Sequence, residues 1–89
     1  MDFLLFTYPN CQKCEALKKA LQEEGINYQE LALSRKESKL KIKEFLGVLK
    51  RDEKGGIILP SLIVVKEENR GLKVLNSKEE FLQWWKSRE

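Results

Sequence analysis

Along the first third of the chain, apolar positions change from a continuous run to a helical stripe and then to an alternation. Residues 3–7, Phe-Leu-Leu-Phe-Thr, form an apolar run that predicts a strand buried on both faces of a sheet. A helical pattern begins at Cys11, after a Pro-Asn break, and Gly25 is its predicted C-cap. Residues 26–31 alternate loosely and predict a second, half-exposed strand.

The middle of the chain predicts a second helix. Ser34 and Glu37 have the spacing of a capping box, with Ser at the N-cap and Glu three positions on. The polar residues 50–56 end in two glycines, so a loop should follow this helix. Its expected buried stripe consists of Leu40, Phe45, Leu46 and Leu49.

The last third predicts a hairpin followed by a helix. Residues 62–65 are fully apolar, as expected of a second central strand, and residues 72–75 form the returning arm after a turn at 68–71. Ser77 and Glu80 repeat the capping-box spacing and begin the final helix. The predicted order is therefore β-α-β-α-β-β-α.

This order predicts an α/β fold with one four-stranded mixed sheet flanked by three helices. The first half is a βαβ unit, which should be parallel and right-handed, and the hairpin should be antiparallel. The two apolar strands should be central and the other two should be edges. A chain of 89 residues corresponds to one domain, 1–89.

Composition and charge narrow the class of protein. Hydrophobic residues make up 42% of the chain, which excludes a disordered chain, and no apolar run approaches the roughly 20 residues of a membrane span. The first residues lack the features of a signal peptide, so we expect a cytoplasmic protein, with no membrane partner. Residues 34–54 hold eight Lys and Arg against four Asp and Glu. Interleaved acids and the lack of stacking aromatics favour a solvated helix face over a nucleic-acid surface.

The two cysteines, Cys11 and Cys14, are the candidate catalytic residues. A structural disulfide is not expected, because a bond between these two residues would close almost no loop. A structural zinc site is not expected either, because it normally needs four ligands and the chain has two cysteines and no histidine. At a helix start, unpaired N–H groups and the helix dipole favour a thiolate at Cys11, and Cys14 lies one turn later. This predicts a two-step exchange in which Cys11 attacks a disulfide and Cys14 resolves the adduct. Lys13 also favours thiolate, and Glu15 opposes it.

Pro60 is the second marker, because it precedes a strand that should be central. A proline at a strand entrance ordinarily marks an edge or a turn. A cis bond between Leu59 and Pro60 would turn the chain sharply and leave the Leu59 backbone exposed.

Together these features resemble the glutaredoxins over nearly the whole chain. The resemblance implies a thioredoxin-like fold, with Cys11 as nucleophile, Cys14 as resolving thiol, Pro60 as a cis-proline and the Leu59 backbone pairing with a bound peptide or glutathione. It implies a thiol–disulfide oxidoreductase with a redox-active Cys11–Cys14 disulfide and no bound metal or other cofactor. The residues that carry it are Phe6-Thr7-Tyr8-Pro9-Asn10-Cys11-Gln12-Lys13-Cys14, then Leu59-Pro60-Ser61, the hairpin and the capped last helix.

The partners that this resemblance implies are a disulfide-containing protein or glutathione, and a reductase that supplies electrons. We expect the protein to be a monomer. The chain departs from the family pattern in having Gln12-Lys13 between the cysteines and Tyr8 in place of a lysine. Tyr8 and Lys13 are themselves candidate substrate-binding residues. Because of these departures, glutathione and thioredoxin reductase both stay open as reductants. Two other classes stay open too: a Cu(I)-binding chaperone, which also uses a C-x-x-C pair, and a redox-inert binding module on this fold.

Overall fold

The computed structural model describes residues 2–65 and 72–87. The described elements follow the predicted order, and the predicted turn at 68–71 lies outside the described residues. None of the helices in the two described ranges is long and apolar enough to cross a membrane. In chain order the elements are β1 (Asp2–Thr7), α1 (Gln12–Glu23), β2 (Gln29–Ala32), α2 (Lys36–Ile42) with a 3₁₀ turn (Lys43–Phe45), β3 (Ser61–Val65), β4 (Leu72–Leu75) and α3 (Lys78–Ser87).

The four strands form one mixed sheet in the order β2-β1-β3-β4. β1 runs parallel to β2 and antiparallel to β3, and β3 runs antiparallel to β4. The two apolar strands are therefore central, as predicted, and β2 and β4 are the edges. The architecture is that of a thioredoxin-like α/β fold.

Each face of the sheet has its own apolar cluster. Phe3 and Leu5 of β1 pack with buried residues of α1 and with Phe81 of α3. Phe6 points to the other face, where it packs with Ile42 of α2. Because β1 contributes buried residues to both clusters, its sequence lacks the polar alternation of a half-exposed strand.

The end of α1 follows the pattern expected from its glycine. Gly25 has a φ of 69°, in the left-handed region that glycine adopts without steric cost. The Gly25 N–H donates to the Gln22 carbonyl, and the Ile26 N–H donates to the Leu21 carbonyl, which together form a Schellman motif. Ile26 thus belongs to the helix cap, and β2 begins at Gln29 rather than at the predicted residue 26.

The second helix is shorter than predicted, and part of its expected buried stripe is wrong. Leu40 is 55% exposed and Leu46 is 37% exposed, whereas Leu49 is buried and Phe45 is partly buried. Leu40 is exposed because Ser38 and Ile42 form the buried side of α2, and Leu40 lies opposite them. The helix ends at Ile42, so the later positions leave the 3.6-residue period on which the stripe depended. The predicted cap at Ser34 is also wrong, because Arg35 is the N-cap and no side chain caps this helix.

The third helix has the side-chain cap that the sequence predicted. Ser77 Oγ accepts a 3.1 Å hydrogen bond from the Glu80 N–H. Glu80 Oε1 accepts a 2.7 Å bond from the Asn76 N–H, one residue before the position of a standard capping box. Phe81, in the first turn, is completely buried and anchors α3 against the sheet.

Candidate active site

The candidate site lies at one end of the strands of the sheet, where several chain segments meet. Phe6, near the end of β1, pairs with Ser61 at the start of β3. Leu75 at the end of β4 pairs with Leu62. Strand pairing therefore brings three segments that are far apart in sequence to the same end of the sheet: the loop to α1, the Leu59–Pro60 bond and the start of α3.

A tight turn carries the chain from β1 into α1. Asn10 has a φ of 59°, in the left-handed region that asparagine tolerates better than most residues. The next residue, Cys11, is the N-cap of α1 and has extended backbone angles. The Pro-Asn break in the sequence thus places a cysteine side chain at the mouth of the helix.

Cys11 is partly exposed and occupies the role of a capping side chain. Its Sγ accepts a 3.2 Å hydrogen bond from the Cys14 N–H. Sulfur thereby faces an N–H group that the helix leaves without a backbone partner, at the positive end of the helix dipole. Because the Cys11 sulfur is also partly exposed, a disulfide of another molecule can reach it.

Cys14 lies one turn later and is only 2% exposed. Burial, together with a hydrogen bond to Cys11, raises the pKa of the Cys14 thiol from 9.0 to about 11, while a backbone hydrogen bond from Tyr8 and the charge of Lys18 act in the lowering direction. Cys14 is therefore a thiol at neutral pH. Both cysteines are free thiols in this structure.

The Leu59–Pro60 peptide bond is cis, as predicted. Pro60 is fully buried at the entrance of β3, and Leu59 is only partly buried. The segment is held by Asn76, whose Nδ2 donates to the carbonyls of Ile58 at 3.1 Å and Pro60 at 3.0 Å. Ser61 Oγ donates to the Ile58 carbonyl at 2.7 Å.

Sequence reasoning missed the role of Asn76. The side chain crosses from the β4–α3 junction to the proline segment, a contact between residues 16 and 18 positions apart. The available signal was an amide residue directly before a predicted helix cap, at the end of a strand paired with the one that follows Pro60. This signal is weak because asparagine is common in turns.

Two of the candidate substrate-binding residues line one cavity of about 260 Å³. Lys13 contributes from α1 and Leu59 from the proline segment. Tyr8 is 52% exposed in the loop before Cys11, and its backbone contacts Cys14. Pro60 is fully buried and does not line this cavity. The start of α3 completes the cavity with Asn76, Ser77, Lys78 and Glu79.

Potential metal ligands are sparse around this site. Within residues 2–65 and 72–87, no group of three or more His, Cys, Asp or Glu side chains is placed to hold a metal ion. The pair Cys11 and Cys14 offers two sulfur atoms, one partly exposed and one buried.

Comparison with known proteins gives one family. The model of the family described as Glutaredoxin matches residues 3–51, which is more than half of the chain. The matched range contains β1, α1, β2, α2 and both cysteines, and it ends before the cis-proline segment and the hairpin. A search of curated proteins finds no match.

Proposed function

Because the chain belongs to the glutaredoxin family, we propose that it reduces disulfides by dithiol exchange through Cys11 and Cys14. Family membership supports a thiol–disulfide oxidoreductase in general terms. The observation that carries the specific proposal is the contrast between the two thiols: Cys11 caps α1 and is accessible, whereas Cys14 is buried one turn away. This is the arrangement that an attacking thiol and a resolving thiol require.

The proposed reaction has two steps. The Cys11 thiolate attacks one sulfur of the substrate disulfide, forms a mixed disulfide and releases the first substrate thiolate, which takes up a proton. Cys14 then loses its proton, attacks Cys11 Sγ and releases the second substrate thiolate. The substrate gains two electrons, and the protein is left with a Cys11–Cys14 disulfide that an external thiol reductant must reduce.

The substrate-binding surface is proposed to include Tyr8, Lys13 and Leu59, with Pro60 behind it. Leu59 lines the cavity beside α1 and is partly buried, and we propose that its backbone pairs with an extended substrate segment. Lys13 and Lys78 add positive charge to the same cavity, and Glu79 opposes them. Cations there suit the carboxylates of glutathione, and they equally suit an acidic segment of a protein disulfide.

The decisive experiment traps the intermediate. In Cys14→Ser, Cys11 can still attack a protein disulfide, but nothing in the same chain can resolve the adduct, so a stable mixed disulfide should accumulate. Cys11→Ser is the matched control and should capture nothing, because its remaining thiol is buried and protonated. If neither variant forms a mixed disulfide, the proposal of dithiol exchange through Cys11 and Cys14 is wrong. Cu(I) binding by the two thiolates then becomes the alternative to test.

A second assay assigns the reductant. Turnover of a small disulfide is measured with glutathione plus glutathione reductase, beside a parallel reaction with thioredoxin reductase. Activity confined to the first system would identify glutathione as the co-substrate. Activity confined to the second would identify a reductase that acts directly on the Cys11–Cys14 disulfide.

A further inference from the structure

Lys18 lies one turn beyond Cys14 on α1, at the i+4 position on the same side of the helix. Its side chain is only 19% exposed, although lysine side chains normally extend into water. Two carboxylates hold it in this half-buried position. Its Nζ is 3.0 Å from Glu15 Oε1 on the same helix and 3.2 Å from Glu30 Oε2 on β2.

Glu30 is itself fixed to the end of β1. Its Oε2 accepts a 3.1 Å hydrogen bond from Thr7 Oγ1, and Thr7 is only 3% exposed. Thr7 is the last residue of β1, immediately before the loop that leads to Cys11. The chain of contacts Thr7–Glu30–Lys18 therefore holds one cation between the edge strand and the helix that carries both cysteines.

We propose that Lys18 is a positioning residue for the resolving step, acting through Cys14 by stabilising the thiolate that Cys14 must form. The inference rests on the proposed function and adds a role for a residue outside the C-x-x-C segment. Removing a proton from a buried thiol is unfavourable because the anion loses hydration. A fixed cation one turn away offsets part of that cost, and the low exposure of Cys14 reduces screening by solvent.

The charged and titratable groups around Cys14 support this role. On α1, Lys18 is the cation whose charge acts on Cys14. From the preceding loop, the Cys11 sulfur and the Tyr8 backbone contact Cys14. Lys18 favours the Cys14 anion, whereas burial and Cys11 oppose it. Hydrogen bonds and charge from Glu15 and Glu30 raise the pKa of Lys18, so Lys18 carries its positive charge near neutral pH, where the exchange is assayed.

The step that Lys18 assists is the second transfer. The Cys14 proton passes to water, and the Cys14 thiolate donates its electron pair to Cys11 Sγ. The Cys14–Cys11 bond forms as the bond between Cys11 and the substrate sulfur breaks. The leaving substrate thiolate takes a proton from water, so charge and protons balance. The first step, attack by Cys11, does not require Cys14 to ionise.

A neutral aromatic disulfide, dithiodipyridine, separates the two steps in one mixing experiment. The reduced protein releases one coloured thione when Cys11 attacks and a second when Cys14 resolves the adduct. In Lys18→Met the second release should slow by about three- to tenfold near neutral pH, which corresponds to a rise of about half a unit to one unit in the pKa of Cys14. The first release should keep its wild-type rate.

Two variants control for structural effects. Lys18→Arg keeps the positive charge, so its second thione should be released at a rate close to that of the wild-type protein. If Lys18 acted only through packing, the rate would not depend on the charge at this position. Lys19→Met removes an exposed lysine from the same helix and should change neither rate. Among these variants, only Lys18→Met should shift the pH profile of the second release to higher pH.

An unchanged second rate and pH profile in Lys18→Met would overturn the role of Lys18 while leaving dithiol exchange intact. Equal slowing of both releases would also overturn it, because the effect would then not be specific to Cys14. Absence of any second release in the wild-type protein is a different result, since it would contradict the proposed function itself.

Discussion

At the residue scale, the two cysteines show how one helical turn produces two different thiols. Cys11 is at the N-cap, where its sulfur faces the Cys14 N–H and solvent. Cys14 faces the interior, where burial raises the pKa of its thiol to about 11. The spacing of three brings the Cys14 thiol into hydrogen-bond contact with Cys11, and the two thiols differ in burial in the way that the proposed attacking and resolving roles require.

Asn76 provides a prediction at this scale. Asn76→Ala removes the Nδ2 donor from the Ile58 and Pro60 carbonyls, so we expect a loss of about 1–3 kcal/mol in the free energy of unfolding. Because the Leu59–Pro60 segment lines the cavity beside α1, capture of substrate disulfides should weaken as well. Denaturant unfolding and the rate of mixed-disulfide formation measure the two effects.

The control for Asn76 is Asn27→Ala, which removes an exposed amide at the opposite end of the sheet. This variant should change stability by no more than about 0.5 kcal/mol. Equal stability losses in the two variants would contradict a specific bracing role for Asn76.

At the scale of elements, the two capping-box sequences had different outcomes. Ser77 caps α3 through the Glu80 N–H, whereas α2 begins after Arg35 with no side-chain cap and leaves Ser34 exposed. A local motif makes a cap available, and the path of the chain into the helix decides whether the hydroxyl reaches the N–H groups.

The two serines form a matched pair for a prediction. Ser77→Ala should lower the free energy of unfolding by about 1 kcal/mol, because the Glu80 N–H loses its acceptor at the start of α3. Ser34→Ala should leave stability within about 0.5 kcal/mol of wild type. Thermal and denaturant unfolding would show the difference. A larger loss in Ser34→Ala than in Ser77→Ala would reverse the assignment of the caps.

At the scale of the whole molecule, the sheet gathers the site. Neither α1 nor the proline segment forms a surface alone, and the antiparallel pairing of Phe6 with Ser61 brings them together. Cys14 is buried on the same helix whose apolar residues pack with β1, β3, β4 and α3. Ionisation of Cys14 is therefore linked to global stability.

Alkaline unfolding tests that linkage. The pKa of Cys14 in the folded protein, about 11, lies above its ordinary value of 9.0, so the unfolded chain releases the proton first as pH rises. The stabilising contribution is complete below pH 9 and is lost as pH rises through about 11. The two-unit difference corresponds to a contribution on the order of 2–3 kcal/mol.

The matched variant is Cys14→Ser, whose hydroxyl does not titrate in this range. We expect the wild-type free energy of unfolding to fall more steeply than that of Cys14→Ser between pH 9 and pH 11. Denaturant titrations under reducing conditions at several pH values measure both slopes. Parallel slopes would contradict the burial-driven shift in the pKa of Cys14.

From the sequence we could predict the order of the elements, the two central strands, the end of α1 and the positions of the two thiols. These features follow from local sequence patterns: continuous apolar runs at β1 and β3, Gly25 after a helical stripe, and a C-x-x-C at a helix start. They depend on burial periodicity and backbone preference, which neighbouring residues fix over a few positions.

Contacts between side chains from different elements could not be predicted in this way, because they form only when the elements pack together. The fold places Leu40 on the exposed side of α2, opposite the buried Ser38 and Ile42, and it places Asn76 on the carbonyls of the proline segment. It also joined Lys18 to Glu30, 12 positions away on another element. Such contacts depend on helix length, strand register and packing between layers, so the same residue types in the sequence fit many arrangements until the sheet selects one.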